Sequence, residues 1–93
     1  PTSFSLNPAY PNPFNPEVHL SFNVESSERE LSLDIFDLRG ELIATLVQGY
    51  FPVGTHHLTW SGANNMGEFP AGIYLVRLSG ANFSEFQRIT LLK

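Results

Sequence analysis

Apolar and polar residues alternate with a period of two along most of this chain, the pattern of strands buried on one face. Val18, Leu20, Phe22 and Val24 share one phase, and His19, Ser21 and Asn23 take the other. Leu31, Leu33 and Ile35 repeat the pattern, with Ser32 and Asp34 facing out. Glu41 to Val47 reads as the return strand, carrying Leu42, Ala44 and Leu46. In the segment Thr55 to Trp60, His56, Leu58 and Trp60 oppose Thr55, His57 and Thr59. Ile73 to Ser79 and Phe83 to Leu92 complete the set, with Tyr74, Val76 and Leu78 in the core phase. No segment sustains a 3.6-residue period, so no helix longer than a turn is predicted.

The breaks between these runs are turn chemistry. Glu25-Ser-Ser-Glu28 is a polar turn. Asp37-Leu-Arg-Gly40 is a tight one, with Asp at its first position and Gly40 where positive φ carries no steric cost. Gln48 to Gly54 reads as a connecting loop, Ser61 to Gly72 as the longest loop, and Gly80-Ala-Asn82 as the last turn. Signals recurring about every 8–12 residues imply an all-β fold, an antiparallel sandwich of about seven strands. Its expected core is Val18, Leu20, Phe22, Leu33, Ile35, Leu42, Leu58, Trp60, Tyr74, Val76 and Leu78.

Residues 1–16 differ in kind. Asn7-Pro8, Asn12-Pro13 and Asn15-Pro16, with Pro11 between, remove backbone donors and favour extended geometry, so no regular inner strand can run there. Phe4 and Leu6 suit a short edge strand, and Tyr10 and Phe14 look like apolar pegs, Tyr10 the more exposed. The expected organisation is a Pro/Asn-rich lead-in, 1–16, packed on a β-sandwich, 17–93, the whole chain being one domain.

Composition sharpens this picture. Ninety-three residues, 42% of them apolar and eight of them Phe, give one domain with a thin core. There is no cysteine, so neither a disulfide framework nor a Cys-based zinc site reinforces it. The net charge is −4, and the bases Arg29, Arg39, Arg77, Arg88 and Lys93 are scattered. Such a surface argues against nucleic acid and anionic membrane as partners. Apolar runs are too short to insert into a membrane, and no signal-peptide pattern opens the chain. Because it begins at Pro1 rather than Met, the chain reads as a piece of a larger protein.

Candidate chemistry is sparse. His56 and His57 are adjacent on a strand and point to opposite faces, so they cannot share one metal ion, and His19 lies on another strand. Asp34, Asp37 and Glu41 lack the ligand spacing of a calcium loop and read as a solvated turn. Ser61 sits in Trp-Ser-Gly, not in a nucleophile elbow. The residues imply no enzyme, no cofactor and no metal site. Trp60, Tyr74 and Tyr10 could form a sugar platform, but Trp60 and Tyr74 are in the core phase, which leaves Tyr10 as the exposed one.

An ordered series of motifs resembles a known family. Tyr10-Pro-Asn-Pro-Phe-Asn-Pro16, Leu33-Asp-Ile-Phe-Asp-Leu-Arg-Gly40, Ala71-Gly-Ile-Tyr-Leu-Val-Arg-Leu78 and Arg88-Ile-Thr-Leu-Leu-Lys93 are similar to the type A C-terminal sorting domain of the type IX (Por) secretion system. Gly54-Thr-His-His-Leu-Thr-Trp60, Asn65-Met-Gly67 and Pro70-Ala-Gly72 also resemble the related Ig-like domain of flagellar hook-capping proteins. Two departures stand out: Glu41 follows the turn glycine, with the arginine at Arg39, and Ser61 follows Trp60.

The resemblance implies an Ig-like sandwich without chemistry of its own. It would direct a larger secreted protein of Bacteroidetes-like bacteria through periplasm and outer membrane to the cell surface or medium. The implied partners are the outer-membrane secretion machinery, a sortase-like peptidase and an upstream cargo domain. It further implies structural roles for Pro11, Asn12, Pro13, Phe14, Asn15, Pro16, Asp37, Gly40, Gly54, Trp60, Gly67, Gly72 and Tyr74. Leu91, Leu92 and Lys93 are the candidate export-recognition residues, expected at an end where fraying is inexpensive. The alternatives are an Ig-like spacer in a multi-domain extracellular enzyme and, third, a carbohydrate-binding module.

Overall fold

A computed structural model describes residues 4–25, 28–64, 67–80 and 84–92. The period-two runs all form strands, and two further short ones stand within 61–72: β1 Phe4–Leu6, β2 Val18–Val24, β3 Glu28–Phe36, β4 Leu42–Phe51, β5 Gly54–Trp60, β6 Ala63–Asn64, β7 Gly67–Glu68, β8 Gly72–Ser79 and β9 Ser84–Leu91. Sheet A is three-stranded, ordered β1-β2-β5, and sheet B four-stranded, ordered β4-β3-β8-β9. All pairings within them are antiparallel, and β6 and β7 form a separate two-stranded ribbon. The described residues contain no helix. The expected antiparallel sandwich of about seven strands is therefore the observed one, with the ribbon added inside the 61–72 connection.

The core lies between the inner faces of the two sheets. Val18, Leu20, Phe22 and Val24 of sheet A meet Leu31, Leu33, Ile35, Tyr74, Val76, Leu78, Ile89 and Leu91 of sheet B, all buried. Register keeps like with like: Val18 opposes Trp60 and Leu20 opposes Leu58 across sheet A, while Leu33 opposes Leu78 and Ile35 opposes Val76 across sheet B. The accessible surface, 5530 Å², is close to the roughly 5,400 Å² that surface scaling gives for this mass.

Three sequence expectations are corrected here. Leu42 is not core but 53% exposed. The β3–β4 ladder shifts register between Leu33 and Asp34 and again between Ile35 and Phe36, so Val47 and Ala44 oppose Leu33 and Ile35 while Leu42 lands opposite outward-facing Phe36. A bulge moves the side chains beyond it to the other face, which simple alternation cannot foresee. Residues 48–51 belong to β4 rather than to a loop, because the strand continues through Gly49. Asp34 faces outward yet is buried, accepting hydrogen bonds from Ser32 Oγ at 2.9 Å, Thr45 Oγ1 at 2.9 Å and Arg77 Nη2 at 3.0 Å. Arg77 is held over Asp34 and, 4.6 Å from its centroid, the Phe36 ring. A buried carboxylate needs that full complement of donors.

Leu58 is partly buried and packs against the core. The other expected core residues are buried, joined by Phe4, Ala9, Phe14, Val24, Leu31, Ile89 and Leu91.

Candidate functional site

The lead-in is a clasp that joins the two sheets. Its first part extends sheet A: Asn7 N donates to Ser21 O at 2.9 Å, and Tyr10 and His19 exchange backbone hydrogen bonds at 3.2 and 2.8 Å. Beyond Pro11 the chain crosses to sheet B. Phe14 N donates to Thr90 O and Leu92 N to Phe14 O, both at 2.8 Å, a short parallel bridge onto β9. Between these two anchors a side chain substitutes for a strand. The Asn12 amide donates to Arg88 O at 3.0 Å and its carbonyl accepts from Thr90 N at 3.1 Å. One asparagine thus occupies two outward backbone groups of β9 that a neighbouring strand would otherwise bond. The peptide bonds before Pro11, Pro13 and Pro16 are cis, and the proline rings, like Asn15, are exposed.

Two residues that the motifs did not flag complete the clasp. Ile89 and Leu91 point inward on β9, and so therefore do Gln87 and Glu85. Gln87 Oε1 accepts from Ala9 N at 2.7 Å while its Nε2 donates to Asn7 O at 3.2 Å. Glu85 Oε1 accepts from Leu6 N at 2.7 Å. These polar groups serve backbone atoms of the lead-in that have no ladder partner. The available signal was that both sit in the core phase of β9.

Behind the clasp lies an aromatic cluster. Phe14 is buried, with its ring centroid 5.9 Å from that of Trp60. Trp60 meets Tyr74 edge-on at 5.9 Å and Phe69 at 6.3 Å, and its Nε1 donates to Ala63 O at 2.9 Å. Tyr74 donates its hydroxyl to Pro70 O. Trp60 and Tyr74 are thus core residues, and Tyr10, 60% exposed, is the solvent-facing ring of the three. Gly62 was overlooked in the sequence. It has φ +75°, and a Cβ there would come within 3.1 Å of the Leu91 side chain and 3.6 Å of Pro16 O.

The expected export residues separate. Leu91 is 1% exposed, registers with Gly72 and packs on Gly62. Its side chain is part of the core, so the expectation of an inexpensive frayed end fails at this position. Leu92 is 47% exposed although its N–H is held by Phe14 O. Lys93 lies outside the described residues, as do Asn65 and Met66 of the motif before Gly67.

The Asp37 turn stands apart at the far end of β3. Asp37 Oδ1 accepts from the N–H groups of Arg39 and Glu41, each at 2.9 Å, and Gly40 closes the turn at φ +87°. Arg39 bridges Asp37 at 3.1 Å and Glu41 at 3.0 Å, so both members of the departing Arg-Gly-Glu order face one exposed ion-pair group. The backbone N–H of Glu41 foremost, then the hydrogen bonds and charge of Arg39, hold the Asp37 carboxyl below its ordinary 3.8. Its stabilisation is therefore present above the unfolded value and lost as pH falls through the lower folded one. Asp37→Asn should lower the urea midpoint at pH 7, and by less at an acid pH below the ordinary carboxylate range, where the native carboxyl protonates. An equal loss at both pH values would mean that the charge contributes nothing. Gly54, Gly67 and Gly72 each have strongly positive φ, at 140°, 125° and 155°.

Among the described residues no three His, Asp or Glu side chains converge as metal ligands. His56 lies inward between Phe22 and Phe51, with ring centroids at 5.3 and 5.2 Å, and its Nε2 meets Pro52 O at 2.9 Å. His57 faces solvent on the opposite side.

Comparison with known proteins places this geometry. The family described as the FlgD Ig-like domain matches residues 12–84. Among solved structures, that of FlgD from P. aeruginosa superposes with a TM-score of 0.60 at 17% identity. The match covers 96% of this chain and 64% of the FlgD chain, so this chain spans just under two thirds of its length. At that identity the likeness concerns the fold. No curated protein matches the sequence.

Proposed function

We propose, because this chain belongs to the FlgD Ig-like domain family, that it is a non-catalytic Ig-like module whose task is recognition, and specifically that it sorts a larger secreted protein through the type IX system. The observation that carries the finer reading is the clasp. Two of the four segments that resemble the sorting domain, residues 10–16 and 88–93, are hydrogen-bonded to each other through Asn12 and Phe14. A receptor would meet them as one surface, whose order does not depend on redox state. On this reading the partners are the outer-membrane translocon and a sortase-like peptidase, the cargo lies in the same polypeptide, and the protein ends on the cell surface or in the medium.

The family match favours a second reading, a structural Ig-like module that braces neighbouring domains. One fusion separates the two. Residues 1–93 attached behind a periplasmic reporter, in a type IX-competent host, should carry the reporter to the surface. If the folded fusion stays in the periplasm, the bracing reading takes over. Removing residues 91–93 is not a clean version of this test, since loss of the buried Leu91 should itself cost about 2–5 kcal/mol of stability. The exposed Leu92 is the better position to vary: Leu92→Ser should leave folding intact, and a loss of delivery would then report recognition.

A further inference from the structure

We infer that the outer face of sheet A is a binding platform for a neutral glycan. The register fixes which side chains share it. Val18, Leu20, Phe22 and Val24 point into the core, so His19, Ser21 and Asn23 point out. Across the ladder His19 registers with Thr59, Ser21 with His57 and Asn23 with Thr55. On the other side Tyr10 bridges to His19. Ser21 is itself buried and bonded to Asn7, so the accessible groups are the hydroxyl, amide, imidazole and phenol groups of Tyr10, His19, Asn23, Thr55, His57 and Thr59. No carboxylate, ammonium or guanidinium stands in any of these registered positions, in a chain with fourteen such residues.

The chemistry points to one class of ligand. Tyr10 is 60% exposed, and its ring lies on that of His19 with centroids 5.1 Å apart and 31° between planes. That pairing braces an open aromatic face, which suits the apolar side of a pyranose ring. Thr59 Oγ1 contacts His19 Nδ1 at 3.3 Å, which ties the ring stack to β5. Asn23 is set by its neighbours: its Nδ2 donates to Asn7 Oδ1 at 3.1 Å and its Oδ1 accepts from Thr55 Oγ1 at 2.8 Å. Asn7 in turn donates to Ser21 Oγ at 3.0 Å. A network anchored in this way loses little side-chain freedom on binding. Sugar hydroxyls both donate and accept, as do the Thr and Asn side chains, whereas an anionic polymer would find no lysine or arginine at these positions. Rows repeat about every 6.8 Å along strands about 4.8 Å apart, giving an extended open face along which a polymer chain could lie. The inference does not depend on the export reading: it shares Tyr10 with the lead-in motif, but such a platform could serve a spacer equally well.

Affinity electrophoresis of the 93-residue chain tests it, with hydroxyethyl cellulose, laminarin, xylan and galactomannan as neutral probes and polygalacturonate as the anionic control. At least one neutral polymer should retard the chain, and polygalacturonate should not. Tyr10→Ala should weaken that retardation about tenfold, with Tyr10→Trp restoring it. Because the Tyr10 side chain is mostly exposed, circular dichroism and the melting temperature should stay close to those of the parent. Backbone shifts induced by the matching oligosaccharide should centre on His19, His57 and Thr59. No retardation by any neutral polymer, equal binding by folded Tyr10→Ala, or comparable binding of polygalacturonate would overturn the proposal.

Discussion

Trp60→Ala is expected to lower the unfolding free energy by about 3–5 kcal/mol, a large share of what a domain of this size has. The indole is 3% exposed and sits where strand β5, the lead-in and β8 converge. Truncation would empty a volume walled by Phe14, Phe69 and Tyr74, each held by other contacts and unable to collapse freely. Edge-on and tilted ring pairs add about 0.5–1.5 kcal/mol each to the burial they represent. Ala63 O would also lose its donor. Trp60→Phe separates these contributions, because it keeps most of the ring packing while deleting the N–H. It should cost appreciably less than Trp60→Ala, and chemical denaturation of both variants is the measurement. A loss below about 1 kcal/mol for Trp60→Ala would place the ring on the surface instead.

That residue also shows what was legible in the sequence. Trp60 ends a strand in phase with Leu58, and the phase alone puts it inside. The same logic correctly placed Val18, Leu20, Phe22, Leu33, Ile35, Tyr74, Val76 and Leu78, because uninterrupted ladders preserve a period of two. It failed at Leu42 because two register shifts intervene between β3 and β4, and nothing in Glu41 to Val47 announces a bulge. It failed at Asp34 for another reason. Outward position was inferred correctly, but Arg77 on β8 folds over the carboxylate, and cross-strand neighbours are invisible until the sheet order is known.

The candidate site was half legible. Proline spacing said that residues 11–16 could not be an inner strand, and they are not one. What the spacing could not say is that Asn12 would take over two backbone groups of a strand 76 and 78 residues away. Leu91 carried a similar ambiguity, since a position near the chain end suggests fraying while the apolar phase of β9 demands burial. The phase prevailed, because Gly62 leaves a space that the Leu91 side chain fills.

The second large effect is expected at Phe14, and it asks whether the proline-rich segment is a linker or part of the fold. A linker side chain in water contributes within about 0.5 kcal/mol, whatever its size. Phe14 is instead 1% exposed, and Phe14→Ala should cost about 3–5 kcal/mol, comparable to the loss at Trp60. Phe14→Leu retains volume and should cost less, so a folded variant remains available if the alanine form does not survive. Asn12→Ala should be milder, about 1–2 kcal/mol, because its two hydrogen bonds are exposed and water can replace them in part. The decisive comparison is a double-mutant cycle with Leu91→Ala, using Phe14→Leu as the first member. Phe14 bridges to Leu91 through the backbone, and both side chains are buried in the same core. Coupling of about 0.5–3 kcal/mol is then expected, whereas strictly additive losses would mean that the lead-in and β9 pack independently. Coupling would make the clasp a single stability unit with the last strand, so that a partner able to lift residues 11–16 would also loosen β9. That is the mechanical consequence of placing an asparagine side chain and one phenylalanine where a sandwich would otherwise have a further strand.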